Sequence, residues 1–311
     1  MVPRVVPLDP ASAGNEVLGR VWELDRLLVA PGEPLRSRGD VMRVLRSRPS
    51  GARRWYWVAG ADGYASLLVR DGSSTGFLTE LVVAPAARRQ GIGRALVSAA
   101  ADQARAAGCK HLVGGHLDAS DFIRAVGGRE STDRVRRSVL RLPLTTAPVP
   151  AVDGYRVVSW TGTAPEELLA SYAVARNAIN DAPHDDAIDD ERYTPDRIRE
   201  MESVVAARDT ELRVTVAVSG HGQVAGFTDL RVAREPGASA FTDDTAVLAE
   251  HRRHGLAMWI KDACLRRLAA ERPDVGAVVT DNDITNRPML AVNDKLGFVA
   301  TAVRTGAVLD L

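Results

Sequence analysis

Two stretches of the chain combine glycine with basic residues at a spacing suited to holding an anion. They are Arg88-Arg89-Gln90-Gly91-Ile92-Gly93-Arg94 and Arg252-Arg253-His254-Gly255-Leu256-Ala257, in register at a constant offset of 164 residues. Each follows a short aliphatic run (Leu81 to Ala84; Ala246 to Ala249) and each opens an alanine-rich helical segment, ending near Ala107 in one case and Ala270 in the other. At such a strand-to-helix junction glycine lets the backbone approach a ligand closely. The first-turn N–H groups have no intrahelical partners, and the helix dipole favours negative charge. A pyrophosphate fits that description, and the arginines add charge-assisted donors around it. Two other phosphate motifs do not occur: Gly-x-x-x-x-Gly-Lys-Ser/Thr is absent, and Gly91-x-Gly93 lacks a third glycine because position 96 is leucine.

The elements that must position these loops also repeat. Upstream, each copy has two helical segments, Glu16–Leu28 with Arg36–Arg46 and Ala164–Asn177 with Pro195–Ala207. A hairpin follows in each, Arg54–Ala59 with Tyr64–Val69 and Arg213–Val218 with Val224–Val232. Downstream come a strand, a short helix and a last strand, and the turn Ala125-Val126-Gly127-Gly128 returns as Lys295-Leu296-Gly297-Phe298 at an offset of 170. Each copy therefore reads β-α-α-β-β-β-α-β-α-β, which predicts an α/β fold of two tandem units, each a mixed, mainly antiparallel sheet flanked by helices. The proline-rich stretch between the copies predicts domains at 1–145 and 155–311 joined by a linker at 146–154.

Composition narrows the function classes. Hydrophobic residues make up 45% of the chain and charged residues 26%, ordinary globular values that argue against a disordered chain. Forty basic residues balance forty acidic ones, yet residues 1–148 hold 22 Lys/Arg and 14 Asp/Glu while 149–311 hold 18 and 26. The halves thus carry +8 and −8, which serves either their docking or the attraction of a cationic substrate. No apolar run is long enough to span a bilayer, the first residues lack the apolar core of a secretory signal, and a cytoplasmic location is expected. Cys109 and Cys264, both in helix-like segments, are read as buried thiols rather than a disulfide or a metal site. The basic and aromatic run Arg53-Arg54-Trp55-Tyr56-Trp57 is read as a packed strand, not a nucleic-acid platform.

On these motifs the chain resembles the GNAT superfamily of acyl-CoA-dependent N-acyltransferases over nearly its whole length, as two tandem copies. Leu81-x-Val83-x-Pro85-x-x-Arg88-x-x-Gly91-x-Gly93 is similar to the superfamily's CoA motif. The second copy carries Arg252-x-x-Gly255-x-Ala257, and then Thr280-x-Asn282-x-x-x-Asn286 through Asn293-x-x-Leu296-Gly297-Phe298. The resemblance implies acetyl-CoA as donor and a small-molecule amine as acceptor, with neither nucleic acid nor membrane as partner and a monomer or homodimer as the assembly. It places the thioester carbonyl at the backbone of Val83 and Val247. The CoA pyrophosphate falls on residues 88–94 and 252–257, and the pantetheine arm on Asn282 and Asn286.

An amine of pKa about 10.4 is almost wholly protonated at neutral pH, so a base must take its proton before attack. Glu80, three residues before Val83, and its counterpart Asp244 are the expected bases. Asp243, next to Asp244, cannot point the same way on a regular strand. Many superfamily members carry a tyrosine four residues before the glycine of the last turn, as acid for the leaving thiolate. Here Ile123 and Asn293 stand there, so water is expected to protonate the thiolate. The missing tyrosines keep open an alternative, an acetyl-CoA-binding sensor or scaffold in which one or both domains have no turnover. Between the first two helices of the second copy, six acids occur from Asp181 to Glu191. In this fold that loop commonly walls the acceptor pocket, so Asp185 and Asp186 are expected to receive a cationic amine; the other reading is a solvated acidic loop.

Overall fold

The computed structural model describes residues 4–47, 51–116, 119–181 and 190–311. The order of elements is the one the repeat predicts. The first copy runs β1 (Val6–Leu8), α1 (Asn15–Asp25), α2 (Arg38–Arg46), β2 (Ala52–Ala59), β3 (Gly63–Arg70), β4 (Thr75–Val83), α3 (Ile92–Ala106), β5 (His111–His116), α4 (Ser120–Ala125) and β6 (Arg129–Arg141). The second runs β7 (Tyr155–Thr161), α5 (Glu166–Asn177), α6 (Pro195–Ala207), β8 (Thr210–Ser219), β9 (Val224–Ala233), β10 (Ala240–Val247), α7 (Leu256–Glu271), β11 (Ala277–Asp283), α8 (Arg287–Leu296) and β12 (Val299–Asp310). Among the described residues no helix is long and apolar enough to cross a membrane.

Two compact units emerge. Among the described residues the first holds 4–135 with 302–311, and the second holds 136–181 with 190–301. In the first unit β1 to β4 pair antiparallel in chain order and β5 joins β4 in parallel. The C-terminal part of β12 then pairs antiparallel with β5, Thr305 facing His116 and Asp310 facing His111. The second unit repeats this with β7 to β10 antiparallel, β11 parallel to β10, and 136–141 of β6 beside β11.

Helix faces fill both sides of each sheet. In the first unit Leu18, Val21 and Leu24 of α1 and Ile92, Leu96, Ala100 and Ala104 of α3 are buried in one cluster with the strands. The spacing of three and four residues makes these one stripe per helix. Trp57 is buried in that cluster and Trp55 packs against it, as expected of a strand. In the second unit α5 and α6 cover Val214, Val216, Val218 and Phe227, while Leu256 and Ile260 of α7 pack on Ala217 and Ala225, which point the other way. Both cysteines are buried and neither is in a disulfide.

A glycine stands opposite the last residue of the central strand in each unit, Gly63 facing Val83 and Gly226 facing Val247. A Cβ on Gly226 would lie 2.9 Å from the Ala246 carbonyl oxygen and 2.9 Å from Val247 Cγ2. Gly226→Ala is therefore expected to destabilise the chain by about 1–3 kcal/mol, the usual cost of overpacking a tight contact. A urea midpoint unchanged by the substitution would contradict this.

Candidate acyltransfer site

The central strand of each unit is bent by a bulge. In β4 the register steps from Glu80 opposite Ser66 to Leu78 opposite Leu67, leaving Thr79 extra. In β10 it steps from Thr245 opposite Thr228 to Thr242 opposite Leu230, so the chain gains a residue at Asp243-Asp244. A bulge bends its strand and re-aims the side chains beside it. It also ends parallel pairing: β4 pairs with β5 only as far as Phe77 opposite Val113, and β10 with β11 only as far as Thr242 opposite Thr280. Beyond those points each central strand runs on to Val83 or Val247 without ladder pairs to the parallel strand. The backbone groups there are open to an extended ligand.

The two phosphate-type loops have the same backbone. Arg89 (φ 65°) and Gly91 (φ 85°) are left-handed, as are Arg253 (φ 66°) and Gly255 (φ 82°). A Cβ on Gly255 would meet nothing within 4 Å, so backbone conformation and not crowding requires glycine there. No side chain caps the start of α3 or α7, so the first-turn N–H groups keep no protein partner from a cap. Arg88 and Arg252 brace each loop on its strand, donating from Nε to the carbonyls of Val83 (3.2 Å) and Val247 (2.9 Å). Arg252 also pairs with Asp181.

The other loop residues expected to hold the cofactor divide by burial. Ile92 and Leu256 anchor the helix starts in the cores, so only their backbone can face a ligand. Arg89, Gln90, Arg253 and His254 are exposed, and Ala257 is half-buried. Gly93 lies under the Phe122 ring, where a Cβ would be 3.0 Å from Cε2, and Arg94 donates to the Ala125 carbonyl at 3.2 Å. These features fit a nucleotide pyrophosphate at each loop and a pantetheine arm along each parted pair of strands. Asn286 caps α8, its Oδ1 accepting from the Met289 N–H at 3.2 Å, and Asn282 accepts from Asn293 Nδ2 at 2.6 Å. Asp185 and Asp186 lie outside the described residues.

The carboxylates at the two bulges have different surroundings. Glu80 is 15% exposed; Thr79 Oγ1 donates to its Oε2 at 2.5 Å, and Arg36 Nη2 stands 3.9 Å from its Oε1. Arg36 is engaged chiefly with Asp25, which also accepts from the Tyr64 hydroxyl at 3.2 Å. Burial pushes the carboxyl of Asp25 up despite Arg36, and pushes the Tyr64 phenol well up. Beside the Thr79 bulge lies a groove of about 370 Å³, lined among others by Phe77, Val113, Asp133, Arg304 and Val308.

In the second unit Asp244 lies 2.5 Å from Arg176 Nη2, and its own N–H donates to Asp229 Oδ1 at 2.8 Å. Asp243 turns to Arg231 instead. The two aspartates at the bulge thus take different arginines. Arg176 bonds Asp229 as well, from Nη1 at 2.6 Å, and its side chain is 2% exposed. Nothing in the repeat marks this arginine; the only local sign is Tyr172, one turn earlier, whose hydroxyl accepts from Nη1 at 2.8 Å.

Burial and the neighbouring Asp229 raise the Asp244 carboxyl from its ordinary value to about 6, against the pull of Arg176 and Arg231. At this carboxyl the folded chain therefore binds more proton than the unfolded one between about pH 4 and 6. The contribution of Asp244 to stability falls as pH rises through that window. Asp244→Asn removes this contribution, so the variant should gain on the wild type in urea midpoint between pH 4.5 and 8. An equal difference at both pH values would contradict it.

Comparison with known proteins agrees with the repeat. The acetyltransferase (GNAT) family profile matches residues 42–123, which span the first bulge and loop. A tandem GNAT protein from the clavulanic acid biosynthesis pathway, solved without AcCoA, superposes with a TM-score of 0.82 at 26% identity, covering 99% of this chain and 98% of that one. A GCN5-related N-acetyltransferase from Sphaerobacter thermophilus superposes with a TM-score of 0.71 at 16% identity, covering 100% and 97%, and shares the fold. No curated protein matches the sequence. The first half of the chain thus carries the GNAT acetyltransferase profile, and the whole chain is similar in fold to a tandem GNAT protein.

Proposed function

We propose that the protein transfers the acetyl group of acetyl-CoA to the nitrogen of a small, cationic amine. The observation that carries this reading is the duplicated constellation of bulge carboxylate, parted parallel strands and uncapped left-handed loop. Acetyl-CoA supplies an activated thioester. Residues 88–94 and 252–257 would hold its pyrophosphate, Asn282 and Asn286 would approach its arm, and the Val83 and Val247 N–H groups would stabilise the carbonyl oxygen as it gains charge. In the first unit the amine enters the groove beside Thr79, where Asp133 lines the wall and Glu80 is next to the bulge. Glu80 takes the ammonium proton; the nitrogen bonds to the acetyl carbon as the C–S bond breaks, and its second proton passes to water. CoA leaves as a thiolate that water protonates at a thiol pKa of roughly 8.5. Asp244 is the corresponding carboxylate of the second unit.

The reading is tested by following CoA thiol release with a panel of polyamines, aminoglycosides and amino sugars. Saturable release with a cationic member is expected. Saturable acetyl-CoA binding with no release for any amine would instead make the chain a sensor or scaffold.

A further inference from the structure

This inference rests on the reading that the bulge carboxylate receives the amine proton. In the second unit that carboxylate already faces a cation. The Arg176 guanidinium lies 4.7 Å from the ring centroid of Tyr193, 4.8 Å from Phe227 and 5.7 Å from Tyr172. Its Nη1 donates to Asp229 and its Nη2 to Asp244, at 2.6 and 2.5 Å. Three aromatic rings and two carboxylates converging on one positive charge is how a protein recognises a cationic ligand. Here the ligand is a side chain of the same chain, held at the end of α5.

We propose that Arg176 occupies the acceptor position of the second unit, an internal cation seated where a substrate ammonium would meet Asp244. The distance supports this: a base must come within about 2.6–3.2 Å of the group whose proton it takes. Asp244 Oδ2 has a guanidinium at 2.5 Å instead. A guanidinium does not give up its proton in a protein and so cannot be acetylated in place of the amine.

The first unit lacks this occupant. Counting back from the facing pairs Gly63–Val83 and Gly226–Val247, Ser66 stands where the second unit has Asp229. Arg36 remains 3.9 Å from Glu80, committed to Asp25. The second unit accordingly holds acyl-CoA without transferring its acyl group, and transfer belongs to the first.

The test uses the full chain. Arg176→Ala empties the cage; low-millimolar guanidinium should raise its melting temperature saturably, where equal sodium chloride does not, and wild type should not respond. No guanidinium-specific rise in the variant would overturn the proposal. Should the alanine variant fail to fold, Arg176→Gln, whose shorter, uncharged amide leaves both carboxylates without their cation, gives the same readout. Independently, Gly91→Glu, which disables the first loop, should lower acetyl transfer by about 100-fold or more while one equivalent of acetyl-CoA still binds. Retention of a tenth or more of the wild-type rate would overturn it. A wild type that acetylates no amine defeats the proposed activity and leaves the guanidinium response to decide on the cage.

Discussion

Glu80→Gln should lower kcat for acetyl transfer by about 10²–10⁴-fold, the usual contribution of a positioned general base. Acetyl-CoA affinity should be unchanged, since the side chain lies on the far side of Val83 in sequence from the loop. Glutamine keeps the size of the side chain and can still accept the 2.5 Å hydrogen bond from Thr79 Oγ1, so packing at the bulge is preserved while basicity is lost. The deficit should shrink as pH rises toward the amine pKa of about 10.4, because solution then deprotonates the acceptor. A residue that merely shaped the bulge would change KM or stability and leave no such pH dependence. Steady-state kinetics across pH separate the two; an unchanged kcat at neutral pH would remove Glu80 from the chemistry.

Arg176→Ala should cost about 3–5 kcal/mol of folding stability, the penalty for breaking a buried ion pair from one side. The loss arises less from the missing attraction than from what remains. Asp229 is fully buried and would lose its direct ion pair, with Arg231 and Lys261 left as the neighbouring charges. Pairing Arg176→Met with Asp229→Asn removes both charges and should recover part of the loss, as a double-mutant cycle in urea would show. A loss below about 1 kcal/mol for Arg176→Ala, typical of an exposed pair, would contradict the cage.

The order of elements was legible because amphipathic stripes and breakers recur in the same order in both halves. Pro195 opens α6 and Gly297 closes α8 in the left-handed conformation, each where its chemistry requires. The loops were legible for the same reason: Gly91 and Gly255 sit at left-handed positions that disfavour other residues. Glu80 and Asp244 were placed as counterparts by the offset, and the bulges put both beside the point where parallel pairing ends.

Other features lie beyond a linear reading. The cage around Arg176 takes its rings from α5, β9 and the segment before α6, so neither periodicity nor local spacing marks it. Strand composition gives the last strand of a repeat its pattern but not its neighbour. That 302–311 close the first unit's sheet is a matter of which edge is available. Asn286 fits the helix-capping role that asparagine commonly plays, and that role leaves a ligand contact compatible with its geometry.

The central claim is that the duplicated loops make two acyl-CoA sites, and titration calorimetry with acetyl-CoA tests it most directly. The account predicts two equivalents bound per wild-type chain and one in each of Gly91→Glu and Gly255→Glu. In both variants a bulky anion enters a left-handed position facing the expected pyrophosphate. Absence of saturable binding to the wild type, or a stoichiometry that neither variant changes, would contradict it.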